Sequence, residues 1–443
     1  MGDKKFHIPY TALACFVCFI ANVYAYLPGF LSPDSIDQYG QSLTGQYNDW
    51  HPIAMAVFWS LLNKFFVGPQ VMLVYQVGCL WLSIYLLLLS TKKAGWRIAI
   101  WIFAFAPFVQ NFAGYIIKDS QMALSWLLSC SILFFFYQRN KAVPVYAAII
   151  SGLLLVYGCL VRPNAIPGAI PLYLFWAWML VYNNRKLMIA AYSLLLILIT
   201  IVSNYFLSYR FFDVTRSYPQ NKLYLHDMAA VFVQTGEPVY PPQLFENNTF
   251  DTTAIKEKYH PATYDMLWWN QHGQPIHEDL NNEEKTYLLQ NAWINTITAH
   301  PFLYLSNRWE SFLYFLRLKK RSDDFTYYIS WISDNKFGLQ VKGGRVHDTF
   351  IRSVTIHKQM PYMRPWFWFF LNIILLAFIQ FAGKNRAFYI AILLSSLMYV
   401  LPQFFISQTD TDFRYMYWNC IACSLALIIL ISDARKKADT KLS

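Results

Sequence analysis

PVYAAIISGLLLVYGCLVRPNAIPGAIPLYLFWAWMLVY, residues 144–182, holds two long apolar runs parted by one charged residue and a proline. A helix that crosses a bilayer needs about 20 mainly apolar residues. The window is too long for one such helix, and Val161-Arg162-Pro163-Asn164 supplies the break, because a charge and a proline end one helix and begin the next. The sequence therefore predicts two consecutive crossings joined by a sharp turn.

Outward from that turn, similar stretches recur at 8–29, 70–90, 97–112, 116–137, 187–208, 366–382, 387–406 and 413–432. With the two halves of the opening window, read as 143–160 and 165–182, the expected count is about ten helices. Composition agrees. Of 443 residues, 56% are hydrophobic, 19% aromatic and only 14% charged, too apolar for a soluble chain of this size. The fold class expected is an all-α polytopic membrane protein.

Short basic connections set the orientation, since cytoplasmic loops retain Lys and Arg. Lys4 and Lys5 precede the first helix, Lys92, Lys93 and Arg97 follow the second, and Arg139 and Lys141 follow the fourth. Arg185 and Lys186, then Lys384 and Arg386, and finally Arg435, Lys436, Lys437 and Lys441 continue the alternation. This places both termini in the cytoplasm of a multi-pass protein of the cytoplasmic (inner) membrane. The net charge of +11 is then a topology signal, and no nucleic-acid partner is implied. The first helix ends in Leu27-Pro28-Gly29-Phe30 without a small-residue cleavage pattern, so it reads as retained. All seven cysteines fall in expected membrane helices and read as apolar fillers.

Three parts follow: an N-terminal transmembrane module over 1–208, a segment at 209–365 expected outside, and C-terminal helices with a basic cytoplasmic tail over 366–443. The module contains a first outer loop at 31–69. The outside segment has mixed charge and an amphipathic stretch at 284–318, where Trp293, Ile297, Phe302, Leu305 and Trp309 recur at near-helical spacing. It reads as a small mixed domain with amphipathic helices resting on the bilayer, a second partner surface of the chain. Asn247 heads an N-x-T triplet that chance alone explains.

Chemistry concentrates in the first outer loop. Ser32-Pro33-Asp34-Ser35 has the form of a helix start, with a capping serine, proline at the first position and an acidic residue facing the positive helix end. Asp34 and Asp37 would share one face, and a helix N-terminus favours the ionised carboxylate that a general base needs. A plain first-turn role fits Asp34 equally. Asp49-Trp50-His51-Pro52 reads as a second helix start leading into Ile53, with His51 either a helix cap or a contact for a ligand.

Three cations stand at the outer ends of helices, against the positive-inside bias: Lys118 in Gly114-Tyr115-Ile116-Ile117-Lys118-Asp119, Arg162 in the opening window, and Arg414 in Asp410-Thr411-Asp412-Phe413-Arg414-Tyr415. Charges at membrane depth are functional by default. Phosphate on a lipid headgroup would satisfy them through charge-assisted hydrogen bonds, while Asp119 and Asp412 offer an internal alternative. His226-Asp227 reads as a helix start or a sugar or acceptor contact, a role also open to Trp50, His51 and Tyr415. His272, His277, Glu278 and Asp279 cluster, but read as an exposed polar loop and not as a metal site.

This ordered set, an early loop aspartate, an acidic-aromatic-His-Pro element, Lys-Asp after the third connection, Arg-Pro-Asn and Asp-Phe-Arg-Tyr, resembles the GT-C glycosyltransferases. These are polytopic enzymes that use a polyprenyl-phosphate-linked sugar, and the likeness is to bacterial enzymes that decorate O-antigen or other cell-envelope polymers, and more distantly to protein O-mannosyltransferases. The resemblance covers the helix layout and the short motifs, and fades over 209–365. It implies a GT-C-like bundle, transfer of a sugar to a hydroxyl of a glycan, lipid or protein acceptor, the lipid bilayer as a partner, inversion at C1, and no cofactor or metal. By the same resemblance Asp34 is the base and Lys118, Arg162 and Arg414 hold the donor phosphate. Relatives usually carry adjacent Asp-Glu in the loop, so the choice among Asp34, Asp37 and Asp49 stays open. A lipid-linked glycan ligase, or a flippase or transporter of lipid-linked sugars, is the alternative; a transporter would place charge at mid-membrane and show repeated halves.

Overall fold

The computed structural model describes residues 7–181, 185–244, 252–268, 280, 282–320, 328–406 and 411–442. Helix dominates, at 75% of the described residues against 3% strand.

The chain opens with α1 (His7–Tyr26), followed by α2 (Pro33–Thr44). As the sequence predicts, Ser32 caps α2 and exchanges hydrogen bonds with Ser35 in a capping box, and Gly45 closes the helix in the left-handed conformation. A two-residue strand β1 (Tyr47–Asn48) leads to α3 (Ala54–Asn63). The expected start of α3 at Asp49–Pro52 needs correction: the cap position is Ile53, and no side chain caps it. Asp49 and His51 are drawn instead to partners elsewhere, described below.

Helices α4 (Gln70–Leu89), α5 (Ala94–Ala104), α6 (Pro107–Ala113) and α7 (Lys118–Gln138) follow. The stretch expected as one span at 97–112 is broken between α5 and α6. Pro107 forces Ala106 into extended backbone and lacks the N–H that would continue the ladder. The turn inside residues 144–182 is where the sequence puts it: α8 (Val145–Val161) and α9 (Ile166–Leu180) flank a non-helical Arg162 and a single 3-10 turn at Pro163–Ala165. A last helix of this half, α10 (Lys186–Phe206), widens into a π-turn and leads to strand β2 (Val214–Thr215). β2 pairs in parallel with β1.

A lobe with its own apolar core is built from α11 (Asn221–Thr235), α12 (Thr252–Lys258), α13 (Asp265–Trp268) and α14 (Glu283–Ala299), backed by α15 (Pro301–Phe315), whose Phe312 and Phe315 are buried in the main core. Leu225, Met228, Leu244, Tyr264 and Leu289 lie at its centre. The amphipathic stretch at 284–318 is not continuous; Pro301 divides it into α14 and α15. Residues 328–363, with α16 (Arg345–Thr355), leave this lobe and join the main core: Leu31 bridges Ile332, and His347 bonds the carbonyl of Ala25. The chain ends in α17 (Pro365–Ala377), α18 (Arg386–Val400), α19 (Gln403–Ile406) and α20 (Tyr417–Leu442).

Among the described residues, five helical stretches are long and apolar enough to cross a membrane: Gln70–Leu89, Lys118–Gln138, Lys186–Phe211, Gly383–Ile406 and Phe413–Ile431. The segments expected at 8–29, 97–112, 143–160 and 366–382 contain shorter apolar helices, Tyr10–Tyr26, Ala94–Ala104, Val145–Val161 and Pro365–Ala377, and 165–182 is represented by the 15 residues of α9. The stretches containing α7 and α20 are central, each 78% buried, whereas that of α10 is only 17% buried despite the highest mean hydropathy of the five, 2.2. So much apolar surface is costly in water and calls for an apolar surrounding.

Candidate active site

Two glycines bring the first loop against the start of α7. Gly29 has φ +114°, and a Cβ there would meet the Ile116 side chain at 2.2 Å. Across from it, a Cβ on Gly114 would strike the Tyr26 ring at 2.6 Å. With no side chains at these points the two backbones pair, Phe30 N–H to Gly114 O and Ile116 N–H to Phe30 O. Asp34, on the first turn of α2, is thereby held beside Lys118, the first residue of α7.

From this pairing a charged cluster spreads. The Asp34 carboxylate lies 3.4 Å from His51 Nε2 and 3.6 Å from an Arg414 guanidinium nitrogen. His51 Nδ1 is 2.8 Å from Lys118 Nζ. Next along α7, Asp119 is fully buried and pairs with Arg162 at 2.9 Å, while Arg414 Nε lies 3.8 Å from Asp119 and 3.1 Å from Asp412. Arg162 Nε donates to the Tyr399 hydroxyl at 2.9 Å, and both guanidinium groups lie over the Tyr415 ring, at 4.4 and 5.2 Å. Asp34, Lys118, Arg162 and Arg414, distant in sequence, thus meet at one end of the helical bundle.

Charge sets the behaviour of the group. Burial alone would raise the Asp34 carboxyl, but His51, Arg414 and Lys118 together hold it well below the usual carboxylate range. His51 is pushed down by burial and by Lys118, against the pull of Asp34. The Asp34 side chain keeps 28% of its surface exposed, so it is ionised and reachable, whereas the Asp119 side chain is closed off at 0%. A partly exposed carboxylate can take a proton from a hydroxyl. Lys118 and Arg414 beside it, together with Arg162 on the neighbouring Asp119, can hold an anion.

The other sequence candidates are placed differently. Asp37 is exposed and accepts from Gln41 at 2.7 Å, one turn further along the face of α2. Asp49 is engaged in tying the loop to the chain after α10: it pairs with Arg216 at 3.0 Å and accepts from the Ser217 N–H. Trp50 packs under the Lys222 ammonium at 3.9 Å, which brings the start of α11 to the rim of the cluster. His226 and Asp227 do not start a helix, because α11 begins five residues earlier at Asn221. Both are buried in the separate lobe: Asp227 pairs with Arg308 at 2.5 Å and accepts from Trp293 Nε1, and His226 Nε2 donates to the carbonyl of His260. Asn247, His272, His277, Glu278 and Asp279 lie outside the described residues. The described cysteines are free thiols, all but Cys18 buried.

Sequence reading did not single out Tyr399 and Lys222. Tyr399 sits in an apolar stretch of α18 with no local mark of a polar role, and Lys222 is one exposed-type residue among many. Asp119 and Asp412 were legible only as neighbours of the cations. No protein-family model matches the chain, and no curated protein or solved structure is detectably similar to it.

Proposed function

We propose that the protein is a GT-C-like glycosyltransferase of about ten membrane spans in the cytoplasmic membrane, with both termini inside. It moves a sugar from a polyprenyl-phosphate donor to a hydroxyl of a surface glycan, lipid or protein on the outer side. The observation that carries the reading is the meeting of an ionised, reachable carboxylate with three cations at one end of the bundle.

In this reaction the acceptor oxygen attacks C1 from the face opposite the phosphate, its proton passes to Asp34, and the C1–O bond to phosphate breaks with the electron pair leaving on phosphate. Inversion results. Lys118, Arg162 and Arg414 stabilise the phosphate more as its charge grows, which is where catalytic benefit arises. A phosphate leaves as an anion, so no acid is needed on that side.

The test is incubation of purified protein with a panel of polyprenyl-phosphate sugars and acceptors, alongside Asp34→Asn. Transfer by the wild type and a loss of about a hundredfold or more in the variant is expected, the scale of general-base catalysis. Wild-type turnover by Asp34→Asn would remove its role as base.

A further inference from the structure

His51 lies between a carboxylate and an ammonium, with its ring buried. An ammonium has donors only, so Nδ1 must accept from Lys118 and the ring proton sits on Nε2, directed at Asp34. Since Ile53 and not His51 holds the cap position of α3, helix capping does not account for the ring's placement. We propose that neutral His51 is a positioning residue that aims the Lys118 ammonium at the donor phosphate and the Asp34 carboxylate at the acceptor hydroxyl; this rests on the transferase reading.

The charged groups acting on the ring are Asp34 from α2, Lys118 from α7 and Lys222 from α11. Arg414, Asp119, Asp412 and Arg162 surround the far side of Asp34 and Lys118. Two of the three groups acting on the ring are cations, and burial also opposes a third positive charge. The bridge therefore persists through the pH range in which an ordinary histidine titrates. Protonation at lower pH would put a proton on Nδ1, and the contact with Lys118 would be lost.

Two near-isosteric variants divide the bridge. His51→Gln can keep an N–H for Asp34 but loses the acceptor for Lys118; His51→Asn can keep an acceptor near the Nδ1 position but loses the donor to Asp34. The probe is farnesyl phosphate, which binds without reacting, read by calorimetry beside steady-state transfer. His51→Gln should weaken farnesyl phosphate binding and raise donor KM, each about tenfold, with kcat little changed; His51→Asn should lower kcat about tenfold and leave binding intact, the scale of one hydrogen bond to a charged group. The wild-type rate should fall on the acid side only below the usual histidine value, and neither variant should show that limb. Equal farnesyl phosphate affinity in all three proteins, the same change of KM and kcat in both variants, or an unmoved acid limb would each overturn the bridge. If the wild type and variants show the binding split but the wild type transfers no sugar, the bridge stands and the transferase reading falls.

Discussion

Asp119→Asn is the perturbation that tests the cluster most directly. The carboxylate is fully buried, pairs with Arg162 at 2.9 Å and has Arg414 Nε at 3.8 Å. At 2.9 Å and an effective dielectric of about 20, the attraction to Arg162 alone is about 6 kcal/mol. Desolvation of both ions offsets part of it, and breaking such a pair from one side costs about 3–5 kcal/mol, because the remaining charge stays buried. The amide keeps the shape of the carboxylate and removes only the charge. Equilibrium unfolding in detergent should therefore show a loss of about 3–5 kcal/mol. Arg162→Met on that background should recover much of the loss, since no lone cation is then left, and the cycle isolates the pair. The same single variant should bind a polyprenyl phosphate more tightly than wild type, because an anion replaces the missing counter-charge. A stability change under about 1 kcal/mol, below that expected for any buried pair, would refute the reasoning.

Arg414→Ala should reduce transfer by about 2–4 kcal/mol in kcat/KM, the cost of one stabilising donor, and unchanged kinetics would count against the phosphate role. In the lobe, burial lowers His226 from 6.5 to about 4. The unfolded chain then takes up a proton below pH 6.5 that the folded chain refuses until about 4, so stability present at neutral pH is lost as pH falls through that window. The loss is about 3 kcal/mol, and His226→Gln, which keeps a donor for the His260 carbonyl, should flatten it in acid-unfolding curves.

Hydropathy and proline placement made the helical architecture legible, because both act locally: the 161–164 turn and the Ser32 cap are set within a few residues. The break before Pro107 followed the same rule, yet the apolar run on either side concealed it. The site was legible only in part. Lys118, Arg162 and Arg414 stood out because charge is rare in such surroundings. Asp119 and Asp412 were legible as internal partners, and they do pair with Arg162 and Arg414; Tyr399 was not, since Arg162 and Tyr399 are separated by 237 positions and their contact depends on how α8 and α18 pack. Asp49 carried the right chemistry in the right loop, but its partner Arg216 lies beyond α10, where no local pattern points back to it.

A carboxylate held as low as Asp34 is a weak base, which at first sight argues against its proposed work. The cations that lower it, Lys118 and Arg414, are the same groups assigned to the donor phosphate. When a phosphate arrives it neutralises them and adds negative charge beside Asp34, so the field that held the proton off is weakened or reversed. In the proposed transfer, donor binding would then raise the proton affinity of Asp34 at the moment a hydroxyl must be deprotonated. Before the donor arrives, the carboxylate stays ionised and paired, and its basicity is masked. An ordered reaction follows, donor before acceptor, and product inhibition by the released polyprenyl phosphate should be competitive with the donor. Random-order kinetics would show that Asp34 does not depend on the donor's charge.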